Sequence, residues 1–349
     1  MALEAITIAV LVVSLLIILL SCEVFTNGIE WLGCRLGIAE TATGSILAAI
    51  GTAMPETIIP IIAIFMVGEE GGKEIGEGAI LGAPFMLGTL AMFVGGLSVL
   101  LAHKRKGRPA ALVLRENHAE RDMEYFMLAY SLALVTALVG MQSELDLSAV
   151  KYVVAVVLIV AYVFYLRRTL KDECAIHESS CPVLYLTRVT GLPTTGRKGL
   201  TMILFQVIAA LAGIIVGAKF FVGEVEIVAE ELNIDAMILA FLVAPLATEL
   251  PEKFNSVIWY WRSKDTLALG NITGAMVFQS SIPVSIGLLF TEWSLEWINI
   301  ASILIALAAA AWIYYCVKIR NSMSYKVMLA AGSLYLLYIL LLLTFPPSV

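Results

Sequence analysis

Two short stretches of this 349-residue chain carry the side chains and backbone breaks from which a cation site can be built: "GTAMPE" at 51–56 and "LATELPE" at 246–252. Each contains a T-x-x-P-E element, Thr52, Pro55 and Glu56 in the first and Thr248, Pro251 and Glu252 in the second, and each lies inside a long apolar run. Proline within a helix removes one backbone hydrogen bond and clashes with the preceding turn, so a helix is expected to break there. In lipid such a break is tolerated only where it lines a cavity or packs inside protein, and the carbonyls freed around Thr52 and Thr248 become hard oxygen ligands. A glutamate in a membrane span is costly unless it is paired, protonated or bound to a cation. Two carboxylates with hydroxyl and backbone oxygens form the set preferred by calcium, which takes about 6–8 oxygen ligands.

The two stretches belong to an internal repeat. At an offset of 196 (252 − 56), "FTNGIEWLGCRLGI" falls on "FVGEVEIVAEELNI", matching Phe25 with Phe221, Glu30 with Glu226, Leu36 with Leu232 and Ile38 with Ile234. The same register places Thr52 on Thr248, Pro55 on Pro251 and Glu56 on Glu252. A second block, "GEGAILGAPFML" at 76–87 against "ALGNITGAMVFQ" at 268–279, aligns Gly78 with Gly270 and Gly82 with Gly274 at an offset of 192 (270 − 78). Glycines four apart let helices approach closely, so packing is the role expected of them.

The elements that carry these motifs are membrane spans. The chain is 60% hydrophobic and 14% charged, with a mean hydropathy of +0.93, too apolar for an ordinary soluble surface. Runs long enough to cross a bilayer, about 20 residues each, fall at 5–26, 39–67, 76–101, 123–140, 148–166, 200–222, 235–261, 266–290, 297–318 and 327–345. The first run lacks a basic leader and a cleavage site and reads as a retained span. Basic residues follow the odd-numbered spans, among them Arg35, Lys104, Arg108, Arg121, Arg167, Arg188, Arg262, Lys264 and Lys318. The even-numbered loops are acidic, as in "GEEGGKEIGE", "GEVEIVAEEL" and "TEWSLEW". The basic loops therefore face the cytoplasm and both termini lie outside, in the cell membrane. The net charge of −6 mostly reflects the outer loops and carries no message about nucleic acid.

Five spans separate equivalent positions, so the two halves enter the membrane in opposite orientation. The expected architecture is an all-α membrane protein of ten transmembrane helices in two inverted-topology five-helix repeats, with helices 2 and 7 broken at the Pro-Glu motifs. Residues 1–166 form the first repeat, with its motif region at 51–87; 167–199 form a cytoplasmic linker, and 200–349 the second repeat, with its motif region at 247–279. The linker is too short to hold a regulatory domain.

These motifs resemble the alpha repeats of the calcium/cation antiporter superfamily, and within it the prokaryotic sodium/calcium exchangers. There a G-T-S-x-P-E type motif is followed by a G-N-x-x-G-S-x-x-x-N/D type motif. The corresponding stretches here are "GTAMPE", "LATELPE", "GAILGAPFML" and "GNITGAMVFQ". The resemblance implies secondary antiport of calcium, or a related divalent cation, against sodium or protons, by alternating access at one midplane site. It implies calcium as the transported ion rather than a cofactor, with inorganic cations and the lipid bilayer as partners; the sequence leaves the oligomeric state open, and a monomer is compatible with it. Carried over by position, Glu56 and Glu252 are the calcium carboxylates, with Thr52 and Thr248 as threonine ligands. The family serine after the threonine is Ala53 or Glu249; the serine of the second motif is Ala83 or Ala275, and its Asn/Asp is Leu87 or Gln279. The lost side chains help form sodium sites in sodium-coupled members. An alternative keeps the fold as a divalent-cation carrier or sensor without sodium coupling.

Glu249 and Lys253 admit two readings. Their spacing and order favour a helical ion pair that neutralises itself; alternatively the Lys253 ammonium fills space a sodium ion would take, with Glu249 or Gln279 as an extra ligand or protonatable group. Glu23 and Lys219 are expected to snorkel, while Asn255 and Asn271 either line the pathway or bond helix to helix. Cys174, His177 and Cys181 share a loop but lack regular spacing and a fourth ligand, so free thiols are expected there. His103 and His118 are read as solvated loop residues. With no H-E-x-x-H, no nucleophile–histidine pair and no paired aspartates in the spans, an intramembrane enzyme is disfavoured.

Overall fold

The computed structural model describes residues 5–36, 54–66, 71–114, 118–142, 147–173, 183–191, 196–232, 236–320 and 322–345. Among them the regular structure is helical: α1 (Ala5–Leu36), α2 (Met54–Met66), α3 (Gly71–Lys106), α4 (His118–Gln142), α5 (Ser148–Glu173), α6 (Tyr185–Thr190), α7 (Gly196–Leu232), α8 (Ala236–Thr248), α9 (Leu250–Trp261), α10 (Asp265–Phe290), α11 (Trp297–Ile319) and α12 (Tyr325–Thr344). Eight of these are long and apolar enough to cross a membrane. They correspond to the expected spans other than the second and seventh. The seventh is divided between α8 and α9, and the described part of the second is only 13 residues. Lipid exposure explains the apolar outer surface, where Leu16, Val153, Phe205, Leu304 and Leu340 have no core to enter.

Several helices outrun their apolar stretches. At 1.5 Å per residue α1 is about 48 Å long and α7 about 55 Å, well beyond a hydrocarbon layer of about 30 Å. The acidic stretch "GEVEIVAEEL" therefore continues α7 rather than forming a loop, and most of "GEEGGKEIGE" is the first turns of α3. α1 and α7 lie along each other, and a polar run can extend a helix that its neighbour already supports. The histidines also differ from expectation. His103 is in the last turn of α3, half-buried, with its ring against Tyr325 and Nδ1 2.6 Å from the Arg108 carbonyl oxygen; His118 opens α4.

Helix pairings come in matched sets. α3 packs on α12 as α10 packs on α5, α11 on α3 as α4 on α10, and α2 on α3 as α9 on α10. The apolar interior divides in two. One core is built from α1, α7 and inward faces of α2, α3 and α8, including Ile18, Phe25, Ile59, Ile75 and Phe221. The other joins α3, α4, α5 and α8 to α12 around Phe85, Tyr130, Phe241 and Tyr338. α8 feeds both, Ala240 entering the first and Met237, Ile238 and Phe241 the second.

Close approach of α8 to α3 depends on two glycines. A Cβ on Gly78 would overlap the Met237 carbonyl, and one on Gly82 would overlap the Phe241 carbonyl and come within 2.8 Å of the Pro245 ring. The spacing of four puts both on the face that α8 covers. Among the described residues a Cβ on Gly270 would meet nothing within 4 Å and one on Gly274 only the Tyr165 hydroxyl at 3.7 Å.

One end of the bundle is tied by a buried ion pair. Arg108 Nη2 donates to both Asp265 carboxylate oxygens at 2.9 and 2.7 Å, its Nη1 donates to the Tyr260 carbonyl, and the Val113 N–H donates to Asp265 Oδ2 at 2.9 Å. Arg108 is buried, not a loop charge in water, because it joins the segment after α3 to the α9–α10 corner. Arg121 is also buried, on α4 beside Asp122 and over the Tyr165 ring.

Two stability outcomes follow. Gly82→Ala should lower stability by about 1–3 kcal/mol through overpacking, despite alanine's better helix propensity. Gly223→Ala, in α7 with nothing within 4 Å of the new methyl, should be neutral or stabilising; detergent thermal unfolding compares them, and equal midpoints would refute the close-approach account. Asp265→Ala should cost about 3–5 kcal/mol by stranding Arg108, whereas Arg108→Met with Asp265→Leu should recover much of the loss. A double-mutant cycle on unfolding midpoints reads this directly.

Candidate functional site

The site begins with prolines that withhold helical donors. Pro251 is the second residue of α9, and a turn at Glu249 separates α9 from α8. An ideal helix would bond the residue 251 N–H to the Ala247 carbonyl; proline has none to give. By the same rule Pro245 withholds a donor from the Phe241 carbonyl, Pro60 from that of Glu56, and Pro283 from that of Gln279. Backbone oxygen is thus made available in α2, α8 and α10, and α2 packs against both of the others.

Glu56 is the third residue of α2 as described, Glu252 the third of α9, and each follows a proline. Glu56 is 4% exposed. Thr248 ends α8 and Glu252 opens α9, which places both at the chain break; their side chains, and the whole of Thr52, lie outside the described residues.

Glu249 is 0% exposed and occupies the turn itself. Lys253 Nζ lies 3.0 Å from Glu249 Oε2, 3.5 Å from the Pro245 carbonyl oxygen and 4.0 Å from Met86 Sδ on α3. The i,i+4 ion pair is therefore formed, and it is buried at both ends. Gln279, 0% exposed on α10, has neither its Oε1 nor its Nε2 hydrogen-bonded among the described residues. Its positional counterpart Leu87 opens a π-helical segment, Leu87–Ala91, in the middle of α3. Such widened turns recur at functional sites. α10 crosses that segment with Met276 beside Gly88.

Glu56 on α2 and Lys253 on α9 each lie on a helix that packs against α10, which carries Gln279, and Glu249 joins α8 to α9; distances are established for the Glu249–Lys253 pair. Among the described residues no three His, Cys, Asp or Glu side chains converge as a metal cluster. Cys174, His177 and Cys181 lie outside them. Asn271 Nδ2 donates to Ser256 Oγ at 3.1 Å, which is a bond between α10 and α9. Glu23 is exposed and accepts from the Tyr185 hydroxyl at 2.6 Å.

Besides Asp265, two buried carboxylates were not singled out by the sequence. Asp122 Oδ2 accepts from Thr273 at 2.6 Å and Oδ1 from the Tyr165 hydroxyl at 3.0 Å, joining α4, α5 and α10. Thr273 stands inside "GNITG", so the motif offered a signal, although its carboxylate partner is 151 residues away. Glu77 Oε1 accepts from the Trp293 N–H at 3.2 Å. Its position directly before Gly78, in a stretch of helical glycine spacing, was the available clue.

Comparison with known proteins agrees with this arrangement. The model of the family described as "Sodium/calcium exchanger protein" matches residues 6–171 and 202–344. An uncharacterized membrane protein of Methanocaldococcus jannaschii is 23% identical over 285 residues, covering 80% of this chain and 81% of that one. Among solved structures, the H+/Ca2+ exchanger CAX superposes with a TM-score of 0.73 at 16% identity, over 98% of this chain and 82% of its own. The sodium-calcium exchanger NCX_Mj, soaked with Na+ and Sr2+, gives 0.58 at 19% identity, over 96% and 98%. At these identities the two structures establish a shared fold. With the family match covering both halves, this multi-pass membrane protein belongs to the sodium/calcium exchanger family and is a cation antiporter, not an enzyme.

Proposed function

We propose that the chain moves calcium, or a related divalent cation, across the membrane in exchange for sodium or protons, by alternating access at a midplane site between two inverted five-helix repeats. The observation that carries this reading is the repeated placement of a glutamate: Glu56 and Glu252 each follow a proline in the first turn of a helix flanked by apolar sequence. Glu56 is buried, and a bound cation would lower the cost of holding its charge out of water. Glu56 and Glu252 would supply the carboxylates, Thr52 and Thr248 oxygen from hydroxyl or backbone, and Gln279 an amide oxygen that has no hydrogen bond to give up.

Three further features support the arrangement. The matched helix pairings are those that exchange of the first five spans with the last five would generate. The unmatched segment between the two family-model matches, 172–201, overlaps the proposed linker at 167–199. The divided interior gives α2 and α8 a seam between two separately packed cores, where one group of helices can shift against the other without dismantling either. Orientation with both termini outside rests on the loop charges. Relatives of the fold include a proton-coupled and a sodium-coupled calcium exchanger, and both couplings are carried into the experiment.

Purified protein in liposomes should take up radioactive calcium under an imposed sodium or proton gradient. Glu56→Gln and Glu252→Gln should each reduce that flux to background while leaving the elution profile of folded protein intact. Undiminished flux in both variants would defeat the carboxylate site. Uptake that needs no opposing gradient of either ion would favour a carrier without coupling.

A further inference from the structure

The pair formed by Glu249 and Lys253 is arranged as a bound cation and its cage. The Lys253 Nζ has a carboxylate oxygen at 3.0 Å, a main-chain carbonyl oxygen at 3.5 Å and a thioether sulfur at 4.0 Å. Lys253 is 6% exposed, and Glu249 lies at the turn between α8 and α9, one residue after Thr248 and three before Glu252. Carboxylate and carbonyl oxygens are also what a free hard monovalent cation takes. A carboxylate held out of water requires one positive charge beside it, whatever carries that charge.

Here the charge is covalently attached. A tethered ammonium competes with dissolved ions at a high effective concentration and cannot diffuse away. The pair sums to zero, so it adds no net charge to the turn between Thr248 and Glu252. Resting on the antiport reading above, we propose that Lys253 is a built-in monovalent cation: it occupies the position beside Glu249 that sodium would otherwise fill, so that this exchanger moves its divalent cation without sodium.

Removing the ammonium should open the position to dissolved sodium. Lys253→Ala removes the ammonium 3.0 Å from Glu249, while the double variant Glu249→Ser, Lys253→Ala removes both charges and serves if the single variant does not fold. Calcium uptake into liposomes is measured under a fixed proton gradient, with an outward sodium gradient or with potassium in its place. Unfolding midpoints of the purified proteins are recorded in sodium and in potassium chloride. Wild-type uptake and midpoint should be the same with either ion. In at least one variant sodium should raise uptake by roughly 5–150-fold, the usual range for coupled sites, and the midpoint should climb with sodium concentration.

Sodium-driven uptake or sodium-specific stabilisation of the wild type would overturn the proposal. So would folded variants that remain indifferent to sodium in both measurements. Absence of Glu252-dependent calcium uptake in every protein would instead sink the transport reading, and the unfolding midpoints would still decide whether Lys253 stands in for sodium.

Discussion

Charge inside an apolar bundle has to be balanced where it stands, and that requirement governs much of this structure. Water is absent from the interior to screen a carboxylate, so each buried acid brings its compensation with it. Asp265 has the Arg108 guanidinium and a main-chain N–H, Asp122 has two hydroxyl donors, and Glu249 has Lys253. These solutions differ in what they permit. The guanidinium fork and the hydroxyls are geometrically committed and hold helices together. Glu56 sits where prolines have withdrawn backbone donors and exposed carbonyl oxygen, a setting suited to a cation that arrives and leaves.

Geometry around the chain break follows from the same economy of contacts. Dividing a span at Glu249 leaves two helices of 13 and 12 residues, neither long enough to cross the membrane alone. The first half is held by lying directly on α3, which Gly78 and Gly82 allow. The second half is held by α10 and by the far end of α3. The break is thus stabilised by side-by-side packing on an unbroken helix, and α3 itself relaxes through a π-helical segment at Leu87–Ala91.

Much of the fold was legible in the sequence because a bilayer imposes a strong code. Apolar runs gave the eight long helices, and one T-x-x-P-E element falls at the turn between α8 and α9. The Glu249–Lys253 bond was legible too, since helical spacing of four is local information. What stayed hidden depended on tertiary pairing. Arg108 looks like a loop charge until Asp265 is brought beside it, Arg121 until the Tyr165 ring is brought under it, and Glu77 looks like a loop acid until Trp293 covers it. Helix ends were also obscure, because α1 and α7 continue through polar sequence on the strength of mutual contact rather than hydrophobicity.

The two buried ion pairs show how similar bonds can serve different ends. Arg108 spreads its donors over the Asp265 carboxylate and the Tyr260 carbonyl and, with the bond from the Val113 N–H, closes a corner between three segments. Breaking it would cost structure at the end of the bundle, away from α2 and α8. Lys253 instead reaches back along its own span to Glu249 and the Pro245 carbonyl, and meets α3 at the soft sulfur of Met86. A structural cross-link would be expected to bridge helices with charge; this pair keeps its charge within one span, at the turn between Thr248 and Glu252. Its strongest effect is therefore on the electrostatic balance of that turn, where a fixed positive charge reduces what any mobile ion needs to supply.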